Sequence, residues 1–263
     1  MALRPTPMPP HEFIRVREDN RVLRLTLARP PLNVLNIAML HEIGTAAGAM
    51  RARSDLCAVL IDAEGSMFSA GVDVPEHRQE TVRAMLAAVH TAIRAIIALP
   101  MPTIAAVQGG AYGGGLELAM ACDMILAAEN AKFAFPEITL GVFPPFAAAL
   151  LPQTVGRSLA RELILTGRVF DATEALQFGL LSGVLPAGNF MTEVDGFVEQ
   201  LRSLSAFSLS RAKSACRLAD QEQLDKALRQ IEAVYLEDLM QGEDPGEGLT
   251  AFMEKRAPRW RDR

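Results

Sequence analysis

Two glutamates stand where carboxyl groups do acid–base work. Glu117 lies among Leu116, Leu118 and Ala119 with no basic residue nearby, and Glu137 lies among Phe133, Phe135, Pro136 and Ile138. A carboxyl group in apolar surroundings is poorly solvated as an anion, so its pKa rises toward neutrality and it can give and take a proton near pH 7. The two are 20 residues apart, and each sits beside a glycine-bearing loop. The run Gly109 to Gly115 precedes Glu117, and Gly141-Val142-Phe143-Pro144-Pro145 follows Glu137. A third loop reads Phe68-Ser69-Ala70-Gly71-Val72-Asp73. Val72 and Gly114 fall where loops end, so their free backbone N–H groups can point at a developing oxyanion, and glycine permits that close approach. Taken singly, each loop also reads as a tight turn, and a Glu in a first helical turn complements the helix dipole. Two glutamates in apolar settings, each with such a loop, are harder to explain that way.

The elements that hold these loops follow from hydrophobic period. Ile14 and Val16 alternate with Arg15 and Arg17, and Leu23, Leu25 and Leu27 with Arg24 and Thr26, which predicts two half-buried strands around a turn at Glu18-Asp19-Asn20. Asn36 is placed to cap a helix running toward Arg53. A buried-type strand Cys57 to Ile61, a helix from Glu76 to Leu99, a strand Thr103 to Val107, a helical stretch Leu116 to Cys122 and a strand Met124 to Ala128 come next. Strand, loop and helix recur three times before residue 130, the mark of an α/β protein. Beyond about residue 155 helical pattern dominates. Leu224, Leu228, Ile231 and Tyr235 form one apolar stripe, with Lys226, Arg229 and Glu232 on other faces. The expected division is an extended tail over 1–10, carrying Pro5, Pro7, Pro9 and Pro10, an α/β core over 11–200 and a helical region over 201–263. That stripe has no evident partner in a self-contained α/β core and is expected to pack in a homo-oligomeric interface.

Composition narrows the function. The 263 residues carry 26 Lys and Arg against 31 Asp and Glu, a net charge of −5, which leaves no basic field for nucleic acid. The longest apolar runs, Ala95 to Val107 and Ile138 to Pro152, fall short of the roughly 20 residues a membrane span needs. Cys57, Cys122 and Cys216 are scattered without C-x-x-C spacing, which argues against a disulfide framework and for a reduced compartment. With no apolar leader segment recognisable, a cytoplasmic location is expected. His11, His41, His77 and His90 show no metal-ligand spacing, so no metal is assigned.

Phe68-Ser69-Ala70-Gly71-Val72-Asp73, Gly113-Gly114-Gly115-Leu116-Glu117 and Pro136-Glu137-Ile138 resemble, in order and spacing, the motifs of the enoyl-CoA hydratase (crotonase) superfamily, over about Arg21 to Arg256. The resemblance implies an α/β core of repeated β-β-α units with a C-terminal helical region, assembled as a trimer or a dimer of trimers. It implies that the Val72 and Gly114 amides form an oxyanion hole for a thioester carbonyl, and that Glu117 and Glu137 handle water and proton. No permanently bound cofactor is implied, coenzyme A entering as part of the substrate of fatty or aromatic acid degradation. Relatives that isomerise double bonds or hydrolyse acyl-CoA often lack one of the two carboxylates, so the intact pair favours hydration over those alternatives. A non-catalytic scaffold or RNA-binding relative is disfavoured by that pair and by the acidic charge.

The same resemblance assigns substrate contacts. Pro31-Leu32-Asn33-Val34-Leu35 resembles the family's loop against adenine and pantetheine, which puts Leu32, Asn33 and Val34 on the CoA, joined by Ala70 and Asp73 of the first motif. Ala251-Phe252-Met253-Glu254-Lys255-Arg256 resembles the terminal helix whose Phe and Lys positions, here Phe252 and Lys255, touch the CoA of a neighbouring subunit. By pattern alone it is an amphipathic helix with a basic last turn. Two departures stand out. Phe143-Pro144-Pro145-Phe146-Ala147-Ala148-Ala149 replaces a glycine-rich stretch, and Phe135 replaces the usual Gln before Pro-Glu. Proline stiffens the loop, while Phe143 and Phe146 can wall an acyl pocket. That pattern is similar to hydratases acting on cyclic conjugated thioesters such as cyclohexadiene-carbonyl-CoA.

Overall fold

The structure, a computed structural model, describes residues 11–218 and 221–263, so the tail expected over 1–10 lies outside the described residues. The chain begins with strands β1 (Ile14–Asp19) and β2 (Val22–Leu27), paired antiparallel with Ile14 opposite Leu27. The turn is tighter than the pattern predicts. Glu18 and Asp19 belong to β1, and Asn20 and Arg21 turn the chain with φ of 39° and 68°, the left-handed conformation that a two-residue hairpin loop needs.

From β2 the sheet continues in parallel through β3 (Ala58–Ala63), β4 (Thr103–Val107), β6 (Met124–Ala128) and β9 (Gly183–Leu185). A second, smaller sheet holds β5 (Gly110–Tyr112), β7 (Lys132–Ala134) and β8 (Phe170–Asp171). Single bridges, Leu35 to Val72 and Ser69 to Ala111, extend that layer. The chain therefore repeats one route four times: large sheet, small layer, helix. β2, Leu35 and α1 (Ile37–Met50) make the first turn, and β3, Ser69 to Val72 and α2 (Val82–Ile97) the second. β4, β5 and α3 (Gly114–Met120) make the third, and β6, β7 and α4 (Pro145–Thr154) the fourth. These are the expected β-β-α units, and the loop motifs lie on the small layer, where one turn abuts the next.

Local chemistry sets the helix ends. The Asn36 side chain accepts the Met39 N–H at 2.9 Å, the expected cap of α1, which buries Met39, Leu40, Ile43, Ala46, Ala47 and Met50 on one face. α1 stops at Met50, short of Arg53. The helix predicted from Glu76 to Leu99 is split: a 3₁₀ turn occupies Val74–His77, and α2 starts only at Val82. Glu76 is diverted, its carboxylate accepting the Ile37 N–H at 2.8 Å at the start of α1.

The two faces of the large sheet bury alternate residues, as a period of two requires. Val59 and Ile61 of β3 enter the main core, while Ala58 and Leu60 face a second cluster completed by Phe190, Val194 and Val198 of α7 (Phe190–Arg202). The other helices are α5 (Arg157–Thr166), α6 (Ala172–Gln177), α8 (Ala206–Arg217), α9 (Gln221–Ala233) and α10 (Glu243–Met253). One expectation fails here. Leu228 and Tyr235 are buried in the main core of their own chain, with Leu224 and Ile231 packed against it, and α9 lies on α4. The apolar stripe needs no second subunit, because the Pro145–Thr154 helix presents an apolar face to it. Glu232, on another face of α9, meets the buried His90 of α2. Among the described residues no helix is long and apolar enough to cross a membrane.

Candidate active site

The three loop motifs converge because their turns of the fold are adjacent. Leu35 spends its bridge on the Gly71 carbonyl (2.9 Å) and the Asp73 N–H (2.9 Å), which skips the intervening Val72 N–H. Gly114 opens α3, where a first-turn N–H has no intrahelical acceptor. Among the described residues neither amide donates to another protein group. They lie side by side: a Cβ placed on Gly114 would stand 3.6 Å from the Val72 nitrogen and would overlap Val72 Cγ2. Gly113 has φ of 49°, and a Cβ there would collide with Glu137 Oε1, so glycine is required twice over. Two unpaired N–H groups in this arrangement can receive an oxygen that gains negative charge.

Behind them stand the carboxyl groups. Glu117, buried in α3, accepts the Ala147 N–H at 2.8 Å. Burial pushes its pKa up from 4.5 to about 7, against the lowering pull of the Ala147 and Phe146 N–H groups. Glu137 sits in a 3₁₀ turn over Pro136–Leu140, and among the described residues its enclosed Oε2 has no hydrogen-bond partner. Burial, and then the charge of Glu117, hold it well above the carboxylate range. Two desolvated carboxyls that share one cavity and feel each other's charge cannot both ionise readily. Near neutrality the pair holds one proton. It rests on Glu137, because the Ala147 and Phe146 N–H groups stabilise the Glu117 anion whereas Glu137 has only its own backbone N–H and carries the added charge of Glu117.

A cavity of about 230 Å³ joins these groups, lined by Val72, Gly114, Glu117 and Glu137 with Ala70 and Phe143. A larger one, about 380 Å³, opens beside Ile97, Cys122 and Arg217. Its single acid, Asp123, is paired with Lys213 at 2.6 Å, so the smaller cavity is where proton chemistry is available.

Of the residues singled out in the sequence, Ala70, Val72, Gly114, Glu117, Glu137, Phe143 and Phe252 line this cavity. Others do not. Phe146 is wholly buried in the core, and its contribution at the site is a backbone N–H beside Glu117, not an aromatic wall. Phe135 is also core. Asn33 is enclosed, its side chain spent on the Glu64 and Met67 carbonyls (2.8 Å each) and on the Arg29 N–H (2.9 Å), which fixes a turn rather than a ligand. Asp73 pairs with Arg29 at 3.3 Å. Leu32 is exposed and Val34 half-buried, its carbonyl taken by Arg29. Lys255 is exposed beyond the end of α10, so that helix has no basic last turn.

The pattern also missed polar groups at the cavity. His77 lines it, with Nδ1 3.1 Å from the Asp73 carbonyl. Burial lowers its pKa, so the ring stays neutral and Nδ1–H donates to that carbonyl. Tyr235, one of only two tyrosines, lines it as well. A hydroxyl-bearing ring within an otherwise aliphatic stripe was the signal that could have found it.

Comparison with known proteins agrees with this geometry. The family model for enoyl-CoA hydratase/isomerase matches residues 17–263. The cyclohexa-1,5-dienecarbonyl-CoA hydratase of Thauera aromatica is 40% identical over 248 residues, 94% of this chain and 96% of its own. A probable enoyl-CoA hydratase of Mycobacterium bovis is 39% identical over 256 residues, 96% of this chain and 99% of its own. The crystal structure of an enoyl-CoA hydratase from Mycobacterium avium subsp. paratuberculosis superposes with a TM-score of 0.87 at 33% identity, covering 96% of this chain and 100% of that one. With the fold, the paired glutamates and these likenesses in agreement, the chain belongs to the enoyl-CoA hydratase/isomerase family.

Proposed function

We propose that the protein adds water across a conjugated double bond of an acyl-CoA thioester. The observation that carries this reading is the glutamate pair sharing one proton beside two unpaired amides. The thioester oxygen is received by the Val72 and Gly114 N–H groups. Glu117, ionised, takes a proton from water as the water oxygen bonds to the β-carbon, and the π electrons move onto the thioester oxygen as an enolate. Glu137 then delivers its proton to the α-carbon and the carbonyl reforms. One water has been added and the pair again holds one proton, which returns from Glu117 to Glu137. Coenzyme A supplies binding energy away from the reacting carbons. Its contacts are assigned to the mouth of the cavity, with Ala70 and Phe252, and to Leu32 and Lys255 outside it.

A cyclic dienoyl thioester is the preferred acyl group. Phe143, held edge-on to Tyr235 with centroids 5.1 Å apart, and the stiff Pro144-Pro145 step form a rigid apolar wall suited to a planar ring. The likeness to a hydratase named for such a substrate supports the same choice. A spectrophotometric screen of acyclic and cyclic enoyl-CoA thioesters tests both levels, since hydration removes conjugation. No loss of absorbance with any of them would refute hydration, and rapid turnover of crotonyl-CoA alone would refute only the ring preference.

The assembly is a homotrimer or a dimer of trimers, supported by exposed Leu165, Val169 and Leu176 on and beside α5 and α6, which a closed interface would cover. Sedimentation at micromolar concentration should return a multiple of three, and a clean monomer would reject it. The free cysteines Cys57, Cys122 and Cys216 support a reducing, cytoplasmic setting.

A further inference from the structure

Tyr235 is a polar group of the cavity that this chemistry leaves unused. Its position depends on a break in regular helix. α9 ends at Ala233 and the chain widens into a π-helical turn over Val234–Asp238, a feature that recurs at functional sites. The ring is buried and locked edge-on against Phe143 at an interplanar angle of 74°. A tyrosine with a buried ring ordinarily finds its hydroxyl a partner. The side-chain hydrogen bonds around it join Glu232 to His90 and Gln241 to the Leu236 carbonyl, and among the described residues none involves Tyr235. Burial, then Glu137, then Glu117 push the phenol above its ordinary range, so it stays neutral wherever the glutamates work.

We propose that the Tyr235 hydroxyl is the third polar contact of the reacting water, and of the hydroxyl that hydration leaves on the β-carbon. This rests on the hydratase reading above. The phenol neither gives nor takes a proton in turnover. It accepts the water's second O–H, so that the other O–H faces Glu117 and a lone pair faces the β-carbon. The amides hold the thioester and the glutamates move protons, whereas neither orients the water's remaining O–H.

Tyr235→Phe keeps the ring against Phe143 and removes only the oxygen. The melting temperature should hold within about 2 °C, kcat should fall roughly 10- to 100-fold, and KM for the enoyl-CoA should change less than about 3-fold, since only the water is mispositioned. The limbs of the pH–rate profile should not move. An unchanged kcat would overturn the proposal, and so would shifted limbs with an intact plateau, which would mean action on the carboxyl pKa values. Calorimetric binding of racemic 3-hydroxybutyryl-CoA against butyryl-CoA separates this from the function itself. The wild type should prefer the hydroxy thioester, and Tyr235→Phe should cut that preference by roughly 2- to 13-fold, one hydrogen bond's contribution, while binding butyryl-CoA normally. A wild type that discriminates through Tyr235 yet hydrates nothing would sink the hydratase reading and leave the contact standing. A wild type with no preference would remove the contact, and one that binds neither thioester and hydrates none of the acyclic or cyclic enoyl-CoA thioesters would remove both.

Discussion

Glu117→Gln should make the protein more stable while nearly abolishing its activity. Ionising a carboxyl raised from 4.5 to about 7 costs about 3 kcal/mol in the folded state, at about 1.4 kcal/mol per pH unit. The sign follows from which state holds the proton. Below about pH 4.5 the group is protonated folded or unfolded, and wild type and variant should be equally stable in this respect. Between there and pH 7 the unfolded chain releases its proton while the folded chain retains it, so wild-type stability falls. Above pH 7 both states are ionised and the deficit is constant. Glutamine never ionises, keeps nearly the same shape and still accepts the Ala147 N–H with its carbonyl oxygen. Urea unfolding should therefore give a variant advantage near zero at pH 4.5 that grows to about 2–3 kcal/mol at pH 8. Turnover should drop about 100- to 10,000-fold, the usual loss of one acid–base partner. A pH-independent difference, or a variant less stable at pH 8 than at pH 4.5, would refute the burial argument. Near wild-type hydration would refute the role.

The wild-type kcat/KM should rise with pH through an apparent pKa near 7 as Glu117 ionises and fall at higher pH as Glu137 loses its proton; a flat profile from pH 5 to 9 contradicts the shared proton. Gly113→Ala forces a Cβ onto Glu137 Oε1 at φ of 49°, so kcat/KM should fall at least 100-fold, and crystallography should find Glu137 displaced; an unmoved, active site would show that the contact is not tight. Phe143→Ala should reduce kcat/KM for a cyclic dienoyl-CoA roughly 10- to 200-fold and less for crotonyl-CoA, whereas Phe146→Ala, emptying a core position, should appear in denaturation as about 3–5 kcal/mol lost. Equal losses on both substrates for Phe143→Ala would make it merely structural.

How legible the molecule was in its sequence depended on the range of the interactions involved. Strands Thr103–Val107 and Met124–Ala128 were read at their true bounds because each is a short, mostly apolar run closed by loop residues. The cap at Asn36 was read because it acts over three residues. β8 and β9, of two and three residues, are too short to carry a period and exist only because neighbouring strands offer them ladder bonds. The split before α2 depended on Glu76 being drawn to the distant N–H of Ile37. The glutamate pair was visible because its apolar neighbours adjoin it in sequence. The diversion of Asn33 and Asp73 into holding Arg29 and the turn around it was not, since those partners lie up to 44 residues away.

Phe143, Phe146 and Tyr235 mark the same boundary inside the site. By residue type the two phenylalanines were equivalent candidates for a substrate wall. They differ by three positions, close to one helical turn, but Phe143 precedes α4, which begins at Pro145, so helical spacing does not make them neighbours. Phe146 turns into the core, and Phe143, still on the loop, meets the cavity and Tyr235. Tyr235 reaches the cavity only because α9 packs on α4 and then widens into a π turn. The C-terminal helices, read in sequence as material for a neighbouring subunit, thus line the chain's own cavity beside Glu117 and Glu137. A substitution that straightens the Val234–Asp238 turn should consequently lower kcat, measured with an enoyl-CoA thioester, before it changes the sedimentation of the assembly.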